Sequence, residues 1–146
     1  MELLVAIGLL GLLVALALPN LDRAEFEVEE AMAVLVGDLR MARANATSRR
    51  SHYRVTFSSA SYTIQRLQDS DGTDTWLPEG DAQTVQLPNG VSLSQGAGET
   101  IEFTTRGLVT RTDGTPAPVV TVQLNSTAQS ASETVEIWPS GQLQRE

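Results

Sequence analysis

The chain contains no cysteine, no lysine and a single histidine. Without cysteine there is neither a disulfide framework nor a thiolate metal site, so an exported domain built from this sequence must be held by its own core. Without lysine, all ten basic residues are arginine, set against 18 acidic ones for a formal net charge of −8. That balance argues against broad nucleic-acid binding through a basic surface. His52 has no cysteine to share a metal with and no spacing that ties it to a serine, so it reads as a packing residue near a helix end. Aromatic residues are scarce, and Trp76 and Trp138 are expected to fill the core. No constellation of residues supports an enzyme.

What the chain has in quantity is apolar residues at its start. MELLVAIGLLGLLVALAL carries one charge, Glu2. A spanning helix needs about 20 apolar residues, with about 17 as the lower limit, and Leu3–Leu18 is just short of that limit. A secretory signal peptide would have a basic leading region and a small-residue cleavage site. Neither is present, and Pro19, Asn20, Leu21 and Asp22 follow, so a membrane anchor is the expectation. An ionised side chain at the bilayer centre costs on the order of 2.5–3.5 kcal/mol or more. Glu2 therefore either sits at the interface or has a partner. The flank DRAEFEVEE has one Arg among five acids. Basic residues mark the cytoplasmic side, so the body of the chain is expected outside the cytoplasm, behind a single-pass inner-membrane anchor.

A second helical pattern continues the first. Val28, Met32, Leu35, Leu39, Ala42 and Ala46 recur at steps of three and four, the stripe of an amphipathic helix. Glu29, Glu30, Asp38, Arg40 and Arg43 suit its solvated face. Acids dominate the first turns and Arg the last, which complements the helix dipole. One helix is thus expected to reach about Ser48, kinked or interrupted at Pro19, where a backbone bond is lost.

Past Ser48 the period changes to two. His52–Phe57 and Tyr62–Ile64 read as a hairpin around Ser58-Ser59-Ala60. Gln68–Thr75 reads as a polar loop, within a Gln68–Asp81 segment expected to meet partners. Short strands are expected at Thr84–Leu87, Val91–Ser94, Thr100–Thr104, Val119–Leu124 and Glu133–Trp138, separated by Pro, Asn, Asp and Gly turn signals. The fold class is α+β: a long N-terminal helix, apolar in its first half and amphipathic in its second, packed on an antiparallel β-sheet domain. The divisions are residues 1–19, 20–50 and 51–146, with material for one soluble domain of ordinary size.

These residues bring a family into view. MELLVAIGLLGLLVALALPNL resembles the N-terminal segment of type IV pilins and type II secretion pseudopilins. LRMARANATSRR (Leu39–Arg50), Trp76 with Gly80, IEFTTRG (Ile101–Gly107) and VEIWPSGQL (Val135–Leu143) are similar to the GspH/FimT branch of minor pseudopilins. The resemblance implies a pilin-like fold and a subunit whose apolar helix first anchors it in the inner membrane and then packs into a filament. It implies that Glu2 pairs with the N-terminal amine of a neighbouring subunit and sets the axial register. Gly8, Gly11 and Ala15 would let helices approach closely, as small residues do in membranes, and Pro19 would mark where the helix loosens. It implies other pilin or pseudopilin subunits as partners. It also implies a basic leader cleaved by a prepilin peptidase that methylates the new N-terminus. Only Met1 precedes Glu2 here, so the expectation is a start codon assigned downstream of the true one.

Two weaker signals lie elsewhere. Asp69, Asp71 and Asp74 set carboxylates around Gly72, hard oxygen ligands of the kind calcium takes, although the EF-hand spacing is incomplete. A solvated acidic turn is the favoured explanation, because several oxygen ligands for calcium would still have to come from elsewhere, and no other cofactor is indicated. Arg40, Arg43, Arg49, Arg50, Arg54 and Arg66 could converge where the helix meets the first hairpin, with Arg49, Arg50 and Arg54 as candidate DNA contacts. The helix dipole accounts for those at the helix end, and nucleic acid is not the expected partner. Two functions follow. One is a filament subunit of a secretion, pilus or DNA-uptake machine; the other is a membrane-anchored extracytoplasmic binding domain, DNA-binding or not, that does not assemble.

Overall fold

The computed structural model describes the backbone of residues 2–70, 73–78, 84–127 and 130–146, and side chains from residue 24 onward within those limits except 69, 70, 73, 74 and 78. One helix, α1 (Glu2–Arg49), precedes ten described strands. It stops at Arg50, whose φ of 51° turns the chain into the left-handed region that commonly ends a helix. The stripe read from the sequence is the buried one: Val28, Met32, Leu35, Leu39, Ala42 and Ala46 are all within 2% of complete burial. Ala31 and Val36 widen it. Among the residues with described side chains, no helix is long and apolar enough to cross a membrane. The run Leu3–Leu18, read as an anchor, lies outside them.

The strands are β1 (Tyr53–Ser58), β2 (Ser61–Ser70), β3 (Thr73–Pro78), β4 (Val85–Gln86), β5 (Val91–Gln95), β6 (Thr100–Phe103), β7 (Val109–Thr110), β8 (Val120–Ser126), β9 (Ser132–Ile137) and β10 (Leu143–Arg145). One sheet runs β3-β2-β1-β6-β7, with β4 also paired to β2; the other runs β10-β9-β8-β5, and all pairings are antiparallel. Alternation assigns the faces. Tyr53, Val55 and Phe57 of β1, Ile101 and Phe103 of β6, Val120, Val122 and Leu124 of β8, and Val135 and Ile137 of β9 all point inward. They form one core with the helix stripe, and α1 packs on β8, β9, β5, β1 and β6. Both sheets thus share one helix. Each fully buried Leu, Ile, Val or Phe stabilises by about 1.5–3 kcal/mol relative to exposure.

The structure corrects four readings. Gln68–Thr75 is not a loop: β2 continues through Ser70 and pairs with β3, Gln68 opposite Thr75 and Ser70 opposite Thr73. The alternation that marks a strand was hidden there because both faces are polar. The Gln68–Asp81 segment therefore includes an edge strand. Strands β7 and β10 were missed because two or three residues are too few to show a period. Trp138 is 40% exposed and Trp76 only half-buried, so neither fills the core, which smaller residues already close.

The fourth correction concerns the supposed solvated face of α1. Asp38 accepts a 2.5 Å hydrogen bond from the Tyr62 hydroxyl, whose ring is fully buried. Burial, and then the Asp38 carboxylate, hold that phenol far above its ordinary value of 10.0. The neutral phenol is thus favoured in the folded state, and its contribution is complete below about pH 10. As pH rises past 10, unfolded chains ionise Tyr62 while folded ones resist, and stability falls. Tyr62→Phe should cost about 1.5–3 kcal/mol near neutrality, the range for a hydrogen bond to a charged group. It should also flatten the decline above pH 10, which urea midpoints measured from pH 7 to 11 would show.

Candidate functional site

Near the C-terminal end of α1, Arg43 leaves the helix toward two turns. The first, Thr104–Gly107, follows β6: the Gly107 amide donates to the Thr104 carbonyl at 2.8 Å, and the Thr104 amide donates to Leu108 at 2.9 Å. The second, Trp138–Gly141, follows β9 with the same pattern: the Gly141 amide donates to Trp138 at 2.7 Å, and the Trp138 amide donates to Gln142 at 2.9 Å. The Val109 amide joins the turns by donating to Pro139 at 2.9 Å. Arg43 ties both to the helix, Nε donating to the Gly107 carbonyl at 3.2 Å and Nη2 to the Ser140 carbonyl at 3.0 Å.

Glycine is required at both turn ends. Gly107 (φ 74°) and Gly141 (φ 77°) occupy the left-handed region. A methyl group at Gly141 would run into the Gly107 carbonyl oxygen and Arg43 Nε, and one at Gly107 would press on Thr47 and Arg43. Three of the stretches quoted above for their resemblance, around Arg43, Gly107 and Gly141, therefore meet in one latch. It joins the helix to a turn beyond each sheet, the first beyond β6 and the second beyond β9.

A second polar cluster lies on the outer face of the first sheet. Arg54 on β1 donates from Nε to Glu102 Oε1 on the neighbouring β6 at 2.9 Å, and its guanidinium lies 3.9 Å from the centre of the Trp76 ring. Glu102 is the one buried charged residue among those described. Removing one partner of a buried ion pair costs more than the pair contributes, because the other charge is left unmet. At the C-terminus, Arg145 reaches Glu133 at 2.9 Å and Glu29 of α1 at 3.5 Å, tying β10 to the start of the buried helix stretch.

The residues singled out from the sequence are dispersed. Arg49 and Arg50 are exposed at the end of α1, whereas Arg54 is held by Glu102 and Trp76. The side chains of Glu2, Gly8, Gly11 and Pro19, and those of Asp69, Asp71 and Asp74, lie outside the described residues. Among the described residues, no group of three or more His, Asp or Glu side chains could hold a metal ion. Sequence reasoning missed the latch. Its signal was the pair of turns TTRG and WPSG, each closing on glycine, but nothing local pointed either toward Arg43.

The family profile of the type II transport protein GspH matches residues 31–141, which span the stripe, both sheets and the latch. The chain belongs to the GspH family. No curated protein matches it significantly in sequence. In structure it is similar to the minor pseudopilin EpsH from the type 2 secretion system of Vibrio cholerae, with a TM-score of 0.63 at 16% identity over 82% of this chain and 96% of that one. It is also similar to the type IV minor pilin FimU of Pseudomonas aeruginosa, with a TM-score of 0.58 at 16% identity over 87% and 90% of the two chains. The pilin-like fold expected from the resemblance is thus the fold present, a helix on antiparallel sheets.

The latch makes a specific demand on stability. Arg43→Ala should destabilise the fold by about 1–3 kcal/mol, the cost of leaving carbonyls without their donor. Gly141→Ala should cost about 1–2 kcal/mol for the left-handed backbone alone, and more for the collision. Because both act at one contact, the double variant should lose less than the sum of the two. Urea unfolding of the four proteins measures this.

Proposed function

We propose that this GspH-family chain is a minor pseudopilin or minor pilin, a building block of a type II secretion or type IV pilus filament and not an enzyme. The observation that carries the reading is the division of α1. Among the residues with described side chains, the stripe covered by the sheets begins at Val28, whereas the apolar run in the sequence ends at Leu18. The described half of the helix serves the domain's core, and a run as apolar as Leu3–Leu18 calls in its own right for cover from a bilayer or from other helices. In the membrane the subunit is held by that run, single-pass, with the domain extracytoplasmic. In the filament the same run packs among other pilin-type subunits.

Glu2 then sets the register. An ionised carboxylate at the head of an apolar helix is costly to bury alone, and a neighbouring N-terminal amine relieves that cost at one axial displacement. Processing by a prepilin peptidase, with methylation of the new N-terminus, belongs to the same reading. The DNA-binding alternative is weakened because Arg54 already has its charge met by Glu102.

Glu2→Ala and Glu2→Gln, expressed with the complete filament machinery, test the proposal. Both variants should keep their membrane residence and fall by roughly tenfold in the sheared filament fraction, the effect of about 1.4 kcal/mol. Undiminished incorporation would remove the register role. A wild-type chain that never enters a filament would favour the anchored, non-assembling domain.

A further inference from the structure

The two tryptophans differ in what covers them. Trp76 lies beneath the Arg54 guanidinium. Trp138 stands exposed on the second sheet, with no cation over its ring among the described residues. Its backbone is fixed: the Trp138 amide donates to Gln142 at 2.9 Å and its carbonyl accepts from Gly141 at 2.7 Å. Arg43 holds the same turn through the Ser140 carbonyl. Ile137 is buried opposite Val120, so strand alternation turns Trp138 to the outer face of the sheet. Extending that register by one residue sets Val119, also exposed, across from it. Tryptophan combines a large apolar ring with one N–H donor, and here a rigid turn keeps the ring accessible.

The rest of that outer face is polar but nearly free of charge. Thr121, Gln123 and Asn125 of β8 face outward, because Val120, Val122 and Leu124 point into the core. Opposite them on β9 stand Glu136, Thr134 and Ser132. Ser92 of β5 pairs with Asn125, and Gln144 of β10 pairs with Glu136. The Ser94 hydroxyl donates to Gln123 Oε1 at 2.9 Å, which orients the amide and leaves its Nε2 without a partner among the described residues. Glu136 is the one charged side chain at these strand positions, and it forms no ion pair among the described residues. Protein surfaces are typically about 25–35% charged. This face falls well below that, in a chain with 18 acidic residues.

We propose that the outer face of β5, β8, β9 and β10 binds a neutral polysaccharide, with Trp138 stacked on one sugar ring. A pyranose ring presents C–H groups on its face and hydroxyls around its rim, so it suits an apolar plane bordered by hydrogen-bonding groups. Trp138 and Val119 supply the plane. Beyond it, the Thr121 and Thr134 hydroxyls both donate and accept, and the Gln123 amide donates from Nε2. Charge selects the ligand. An anionic polymer finds no cation at these positions and meets both Glu136 and a net charge of −8, while a basic protein segment finds a single carboxylate. Strands advance about 3.3 Å per residue, so Val119 to Asn125 spans roughly 20 Å, room for several sugars in an extended chain.

Titration calorimetry on the full chain, held in a detergent whose headgroup carries no sugar, tests this with cellohexaose, maltohexaose, chitohexaose and the anionic hexagalacturonate. At least one of the neutral hexasaccharides should bind, and hexagalacturonate should not. Binding by none of the neutral ones, or by hexagalacturonate alone, would overturn the proposal. For the sugar that binds, Trp138→Ala should weaken affinity by about tenfold. Gln123→Ala should weaken it by about three- to tenfold, the range for one lost hydrogen bond, with thermal unfolding unchanged because the side chain lies on the outer face. Trp76→Ala, on the other sheet, should leave affinity as it is. Unchanged affinity in Trp138→Ala or in Gln123→Ala, or a loss in Trp76→Ala equal to that in Trp138→Ala, would place the sugar elsewhere and overturn the proposal. The titration needs only the isolated chain, so its outcome is separate from incorporation of the Glu2 variants into filaments.

Discussion

The stripe of α1 from Val28 to Ala46 is the surface against which both sheets fold, and the remaining packing depends on it. The first sheet offers Tyr53, Val55, Phe57, Ile101 and Phe103, and the second offers Val122, Leu124, Val135 and Ile137. These faces join through one helix into a single apolar cluster. Small residues at Ala42 and Ala46, toward the helix end, let the backbone come close where the chain must turn into β1. Without cysteine, no covalent tie supplements this core, so its burial must offset the conformational entropy of ordering the domain.

Polar contacts then fix how the helix is seated. Arg43 reaches the turns after β6 and β9, Tyr62 of β2 reaches Asp38, and Arg145 of β10 reaches Glu29. Each ties α1 to chain far from it in sequence, and together they hold the buried stretch of the helix near its start, middle and end. Apolar burial is non-directional, so it would tolerate small slides of the helix along the sheets; directional hydrogen bonds oppose such slides. For a subunit that assembles through its helix, this seating relates the surface of the domain to the axis of assembly.

Legibility differed from place to place for physical reasons. The helix stripe was plain because a solvated amphipathic helix repeats its apolar residues over many turns, and all six positions read from it are buried. Strands β1, β5, β6, β8 and β9 were found because one face of each is apolar and alternates. Polar β3 carried no such contrast, and the short β7 and β10 carried too few residues to show it. The latch was half legible. Gly107 and Gly141 advertised turns, but Arg43 looked like any solvated helix arginine, because its acceptors lie 64 and 97 residues away along the chain. Trp76 and Trp138 misled because bulk was taken for burial; one stacks under Arg54 and the other stands exposed.

The order and period of apolar residues determined the class of this protein: an apolar run, then an amphipathic helix, then short antiparallel strands. Those features depend on neighbours within a few residues, so they are readable without coordinates. Which strands share a sheet, which side of the helix remains bare, and where Arg43, Asp38 and Arg54 find their partners were decided only in three dimensions. Each depends on groups that are distant in the chain and become neighbours only when the shared core has formed.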